Sequence, residues 1–179
     1  MEEKDTHITL VTGPNCVLES SALRSVLEYF GARVDMHWIG RPNDLIKVLI
    51  GENRTSTDYL ILSFHGEGGK LLLPELAEEV YEENEPRSSY FGYKEILKYA
   101  RLDGIHVLAT GCTLGDKELA DAFHKSNCAS YTAPVDYIDG NAALMFIISF
   151  MYEQMTNSKP IKEAFQIAQS IDKETNLYR

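Results

Sequence analysis

The chain has 179 residues, 17 Lys+Arg against 27 Asp+Glu, a net charge of −10 and 44% hydrophobic residues. At about 100–200 residues per domain that is one domain with a full core, and it falls short of the roughly 250 residues of a TIM barrel. The acidic balance argues against a nucleic-acid binder, and the longest apolar stretch, Ala142 to Met151, is well under the ~20 residues that span a bilayer.

The opening residues, MEEKDTH, are charged where a secretory leader would be basic and then apolar, so a cytoplasmic protein is expected. His7 to Thr12 (HITLVT) is a short β-branched run ending at Gly13-Pro14-Asn15, a turn signal. Ser20 or Ser21 is placed to cap a helix carrying Leu23, Val26, Leu27 and Phe30, closed by Gly31. Arg33 to Ile39 reads as a second strand, and Asn43 or Asp44 as the cap of a helix with Leu45, Ile46, Leu49 and Ile50. Tyr59 to Phe64 (YLILSF) is apolar almost throughout, as a strand covered on both faces should be. Ile105 to Ala109 and Ala129 to Ala133 complete five strands, with helical patterns at 93–101, 116–126, 141–156 and 160–171. The last-but-one pattern is apolar on most faces and is expected to be buried.

The strand starts at 7, 33, 59, 105 and 129 are mostly spaced as compact βα units, except for an excess of about 20 residues directly after His65-Gly66. In an open α/β sheet, loops at the carboxyl ends of strands are where ligands bind, so this excess either shapes a site or is a surface excursion. Gly66-Glu67-Gly68-Gly69 reads as a flexible loop rather than a phosphate-binding one, since it precedes no clear helix and holds a carboxylate.

Two strand ends carry chemistry. The third strand runs into His65-Gly66 and the fourth into Gly111-Cys112. As parallel neighbours they would set an imidazole beside a thiol at the carboxyl edge of the sheet. Imidazole activates a thiolate and then protonates the leaving group. The N–H groups of Gly66 and Cys112 could together bind a developing oxyanion. The helix following Cys112 would turn its positive end toward the thiolate. Competing thiol chemistries fit worse. Thr110 and Leu114 stand where a nucleophile elbow needs glycines, and no Cys-x-x-Cys occurs. The three cysteines make no disulfide framework, and no metal-ligand spacing or cofactor motif is present.

YLILSFHG, followed 47 residues after its His by the Cys of HVLATGC, resembles the caspase-like cysteine peptidases of clan CD, which include caspases, metacaspases, gingipains, separase and bacterial CHAT domains. The ending APVDYIDGNAALMFIISFMYEQM is similar to that of CHAT-like domains, where a helix follows the fifth strand. The resemblance implies a three-layer α/β/α sandwich with a mainly parallel five-stranded sheet, spanning 1–179 as one domain with an acidic insertion at 67–92. It implies a His65/Cys112 dyad, with the Gly66 and Cys112 amides as oxyanion hole. Caspases carry Gln-Ala before the Cys, whereas Thr110-Gly111 stands here, and metacaspases place an acid where Thr110 lies, so neither substrate rule carries over. No sixth strand is evident after Ile171, so a caspase-type dimer is not expected. The alternative is a catalytically inactive CHAT-like or flavodoxin-like domain binding a peptide or small ligand.

Glu67, Thr110 and Asp136 are the candidate substrate contacts, and the expected partner is a peptide or protein, basic in character, with no nucleic acid, membrane, metal or cofactor. Asp139 is expected to cap the helix starting near Asn141. Cys16, His124 and Cys128 read as structural, and His7, His37 and His106 fall in strands with no reason to be ligands. Glu75, Glu78, Glu79, Glu82, Glu83 and Glu85 fall within 11 residues that hold no base. They read as a solvated helix face, or as an acidic rim that attracts a basic partner.

Overall fold

The computed structural model describes residues 5–179; the first four residues of the acidic opening lie outside the described residues. The chain begins with β1 (His7–Thr12), α1 (Val17–Tyr29), β2 (Arg33–Trp38), α2 (Pro42–Ile50) and β3 (Tyr59–Ser63). The insertion then contributes β4 (Gly66–Glu67), β5 (Lys70–Leu72) and β6 (Tyr90–Phe91). After α3 (Tyr93–Tyr99) come β7 (His106–Ala109), α4 (Lys117–Lys125), β8 (Ser130–Thr132), α5 (Gly140–Met155) and α6 (Ile161–Gln169).

Five strands pair in parallel in the order β2-β1-β3-β7-β8. Side chains alternate across them, and each face is covered. Val11, Leu60, Leu62, Val107 and Ala109 meet Leu45 and Leu49 of α2, Ile96 of α3, and Leu119 and Phe123 of α4. Ile8, Leu10, Ile61 and Leu108 meet Leu23 and Leu27 of α1, Phe146 and Phe150 of α5, and Ala164 and Ala168 of α6. Fully burying each of these large side chains contributes about 1.5–3 kcal/mol, which is why the strands read as near-continuous apolar runs. The result is a three-layer α/β/α sandwich. No helix among the described residues is long and apolar enough to cross a membrane.

Two helix starts differ from expectation. Helix α1 begins at Val17, with Cys16 as N-cap, because Ser20 is buried on its inner face in line with Leu23 and Leu27. Helix α2 begins at Pro42, whose missing N–H costs nothing in a first turn. Asp44 serves that turn from within, accepting the backbone N–H groups of Gly40 (2.9 Å) and Arg41 (3.1 Å). Asp139 does cap α5, accepting from the Asn141 N–H at 2.8 Å.

The insertion is ordered. Gly68 (φ +53°) and Gly69 (φ +71°) form a tight turn joining β4 to β5, not a flexible loop. Two successive positive φ values match the twist of the flanking strands, and glycine adopts them freely. Strand β6 pairs with β5. The glutamate run forms no helix face beyond a single 3₁₀ turn at Glu78–Val80. Glu85 is buried, and accepts from Arg41 Nη2 (2.8 Å), the Asn43 N–H (2.8 Å) and the Glu82 N–H (2.8 Å). The insertion is thereby latched to the start of α2. At the other end of the molecule, residues 177–179 lie antiparallel beside 133–135, with Ala133 and Arg179 exchanging two backbone hydrogen bonds of 3.0 Å. The segment after Ile171 thus supplies a bridge, though not a full strand, along the β8 edge.

Candidate active site

Strands β3 and β7 are neighbours, and their register pairs Leu62 with Ala109. Three further steps along each strand end lead to His65 and Cys112, so topology sets these residues at the same level of the carboxyl edge. Glycines let the two ends close. A Cβ on Gly66 would stand 2.2 Å from the Cys112 carbonyl oxygen, and one on Gly111 would stand 2.5 Å from the Phe64 carbonyl oxygen. No larger residue fits either position without moving backbone.

The His65 carbonyl accepts from the Leu72 N–H at 3.0 Å, which makes His65 and Leu72 a hydrogen-bonded pair of the hairpin ladder. The next pair, Gly66 with Leu71, is then a non-hydrogen-bonded one, so the Gly66 N–H points off the hairpin. A Cβ on Gly111 would come within 3.0 Å of that nitrogen. The backbone N–H of Cys112 makes no hydrogen bond among the described residues. Two N–H groups are thus unspent beside the thiol.

The His65 imidazole is exposed and makes no hydrogen bond among the described residues. Cys112 is half-buried, and its sulfur exchanges hydrogen bonds with the Ile138 backbone: the Ile138 N–H donates to Sγ at 3.4 Å, and the thiol donates to the carbonyl at 3.6 Å. No hydrogen bond joins the imidazole to Sγ. The expected helix field at the thiol is also tempered. Asp116 caps α4 with its own carboxylate, accepting from Glu118 (2.9 Å) and Leu119 (3.3 Å).

Thr113, at φ +58°, turns the chain away from Cys112 and ties it to both walls of the site. Its N–H donates to the Asp136 carbonyl (3.2 Å), and its hydroxyl accepts from the Gly69 N–H (3.3 Å). Glu67 and Asp136, both candidate contacts, are exposed on those walls. Glu67 accepts from the Tyr137 hydroxyl at 2.6 Å, and this bond pushes the Tyr137 pKa up. Asp136 accepts from the Tyr137 N–H at 2.7 Å. Thr110 lies elsewhere: it is 4% exposed and its hydroxyl donates to Glu19 Oε1 at 2.7 Å, beneath the edge.

Glu19, Ser63, Tyr137 and the Ile138 backbone belong to this neighbourhood, and sequence reading did not single them out. For Glu19 the available signal was an acid in the first turn of the helix after β1; for the others there was none. Cys16 is buried there too. Burial and then the Glu19 carboxylate push its thiol up to about 11, against the opposing His65 N–H and Ser63 hydroxyl. Burial likewise pushes the Cys128 thiol to about 11. Among the described residues no group of three or more His, Cys, Asp or Glu is arranged to hold a metal ion.

No family model and no curated protein sequence matches the chain. Among solved structures, it is similar to separase in the Saccharomyces cerevisiae separase–securin complex, with TM-score 0.57 and 12% identity over 97% of this chain. It spans only 11% of that separase chain. A flavodoxin from Streptococcus pneumonia TIGR4 aligns with TM-score 0.43 and 15% identity, over 87% of this chain and 100% of its own. A short-chain flavodoxin associated with a non-canonical PDU bacterial microcompartment gives 0.40 and 16%, over 86% of this chain and 97% of its own. The sheet order, the two helical layers and the likeness to separase give the chain the caspase-like α/β fold.

Proposed function

We propose that the chain is a cysteine-type amide-bond hydrolase, a caspase-like peptidase, in which His65 and Cys112 form the dyad. The observation that carries this reading is the closure of two parallel strand ends, possible only with Gly66 and Gly111, beside two unspent backbone N–H groups. In the reaction, Cys112 gives its thiol proton to His65, and Sγ leaves its contact with the Ile138 backbone and bonds to the substrate carbonyl carbon. The Gly66 and Cys112 N–H groups hold the oxyanion. The carbon–nitrogen bond breaks as His65 gives its proton to the leaving amine, and water then hydrolyses the thioester and returns the thiol. The exposed carboxylates of Glu67 and Asp136 on either wall favour a basic peptide, and the three free cysteines suit a reducing, cytoplasmic setting.

The test is iodoacetamide labelling across pH, with a peptide library as substrate. His65→Ala should shift the pH profile of Cys112 alkylation, and cleavage should disappear in Cys112→Ala. Alkylation that ignores His65, together with cleavage that survives Cys112→Ala, removes the dyad. The binding-module reading draws support from the Sγ–Ile138 contact, and it requires a thiol that stays inert while a ligand binds at the same edge.

A further inference from the structure

Beneath the site, one carboxylate oxygen joins the two strand ends. Ser63 Oγ donates to Glu19 Oε1 at 2.5 Å, and Thr110 Oγ1 donates to the same oxygen at 2.7 Å. Ser63 stands two positions before His65, and Thr110 two before Cys112. Both hydroxyls are shut away from water, at 0% and 4% exposure. Glu19 itself is fixed by α1, whose Leu23 and Leu27 are fully buried under the sheet.

We propose that Glu19 is a positioning residue, a clamp whose single oxygen holds the β3 and β7 ends in the relative placement that aligns His65 with Cys112. This rests on the dyad reading above. The backbone ladder between β3 and β7 ends with Thr110, whose N–H donates to the Leu62 carbonyl at 3.1 Å. Beyond that point no backbone hydrogen bond between the two ends holds His65 and Cys112 in register, and the Glu19 bridge is the last cross-link before them. Hydrogen bonds to a carboxylate are shorter and roughly twice as strong as neutral ones, and a side chain bridging both ends fixes them to a common point on α1. Dyad chemistry is sensitive to this, since a displacement of about 1 Å can cost about a hundredfold in rate. The Tyr178 hydroxyl faces the same region. It is fully buried with no hydrogen-bond partner among the described residues, and its pKa is raised by burial first and by Glu19 second.

A double-mutant cycle on Cys112 alkylation tests the clamp, with circular dichroism confirming the fold of each variant. Glu19→Ala should slow alkylation about tenfold in the otherwise native protein and add nothing in the His65→Ala background. Glu19→Gln, which keeps an acceptor oxygen for both hydroxyls, should restore the rate to within about threefold of native. Thr110→Val should reproduce part of the loss and Thr110→Ser should not, which covers the case in which Glu19→Ala fails to fold. If His65→Ala slows alkylation and Glu19→Ala does not, or if the two losses multiply, the clamp is overturned while the dyad stands. If His65→Ala itself has no effect, the dyad reading and the clamp fall together.

Discussion

Gly66 sits where two chain segments touch through their backbones. A methyl group at this position would have to displace the Cys112 carbonyl, 2.2 Å away, and the Leu114 side chain, 2.8 Å away. Gly66→Ala should therefore cost about 2–3 kcal/mol in urea unfolding, and it should also abolish the proposed cleavage by moving the Cys112 backbone. A loss below 0.5 kcal/mol would mean that the two strand ends separate readily. The thiols give a second expectation at this scale. With Cys16 and Cys128 both held near 11, modification at pH 8 should label Cys112 alone, read by mass spectrometry of the digested protein. Labelling of either buried thiol at a comparable rate would contradict the packing around it.

The small β4–β5 hairpin separates two glycines that look alike in sequence. A Cβ on Gly68 meets nothing within 4 Å, whereas one on Gly69 would meet the Asp116 side chain at 2.7 Å. Gly68→Asn, a residue that tolerates positive φ, should change stability by no more than about 0.5 kcal/mol. Gly69→Ala should cost about 1–2 kcal/mol and disturb the Asp116 cap of α4; thermal melts distinguish the two. The latch at Glu85 makes the insertion acid-sensitive. Burial raises the Glu85 pKa, but hydrogen bonds from Arg41, the Asn43 N–H and the Glu82 N–H outweigh it and bring the value to about 2. A carboxylate depressed on folding stabilises fully above its ordinary value near 4.5 and loses that contribution as pH falls toward 2. Amide exchange in residues 81–90 should rise through this window before the sheet unfolds. Glu85→Gln should cost about 2–3 kcal/mol at neutral pH, below the range for fully buried pairs because 24% of the Arg41 side chain remains in solvent.

Across the whole molecule, sequence legibility followed the range of the forces involved. The strands were readable because burial on both faces leaves an apolar run, and β1 has the bounds that HITLVT implies. His65 and Cys112 could be placed at the same carboxyl edge because each follows such a run, on strands that pair in parallel. Glu19 showed only its place in the first turn of α1, since its partner Thr110 lies 91 residues away. Glu85 looked like one more solvated acid because its partner Arg41 is 44 positions earlier. The hairpin escaped because strands of two or three residues show no periodicity, although Gly68-Gly69 between them was a turn signal. At this scale Tyr178 is the informative residue. Its ring stacks on Phe146 with centroids 3.6 Å apart, yet its hydroxyl has no hydrogen-bond partner among the described residues. Tyr178→Phe should leave the melting temperature unchanged or slightly raised, and Tyr178→Ala should lower stability by about 3–5 kcal/mol.

The contact between Cys112 and the Ile138 backbone has a consequence for the order in which this edge of the sheet is assembled during synthesis. Residue 138 emerges from the ribosome 26 positions after the thiol it holds, and helix α5, which begins at Gly140 and carries Phe146 and Phe150 into the core, emerges later still. A nascent chain can therefore display both His65 and Cys112 without the wall that seats the sulfur. At synthesis rates of about 5–20 residues per second the unseated interval lasts a few seconds. During those seconds the thiol is open to oxidants, with no enclosing wall to shield it.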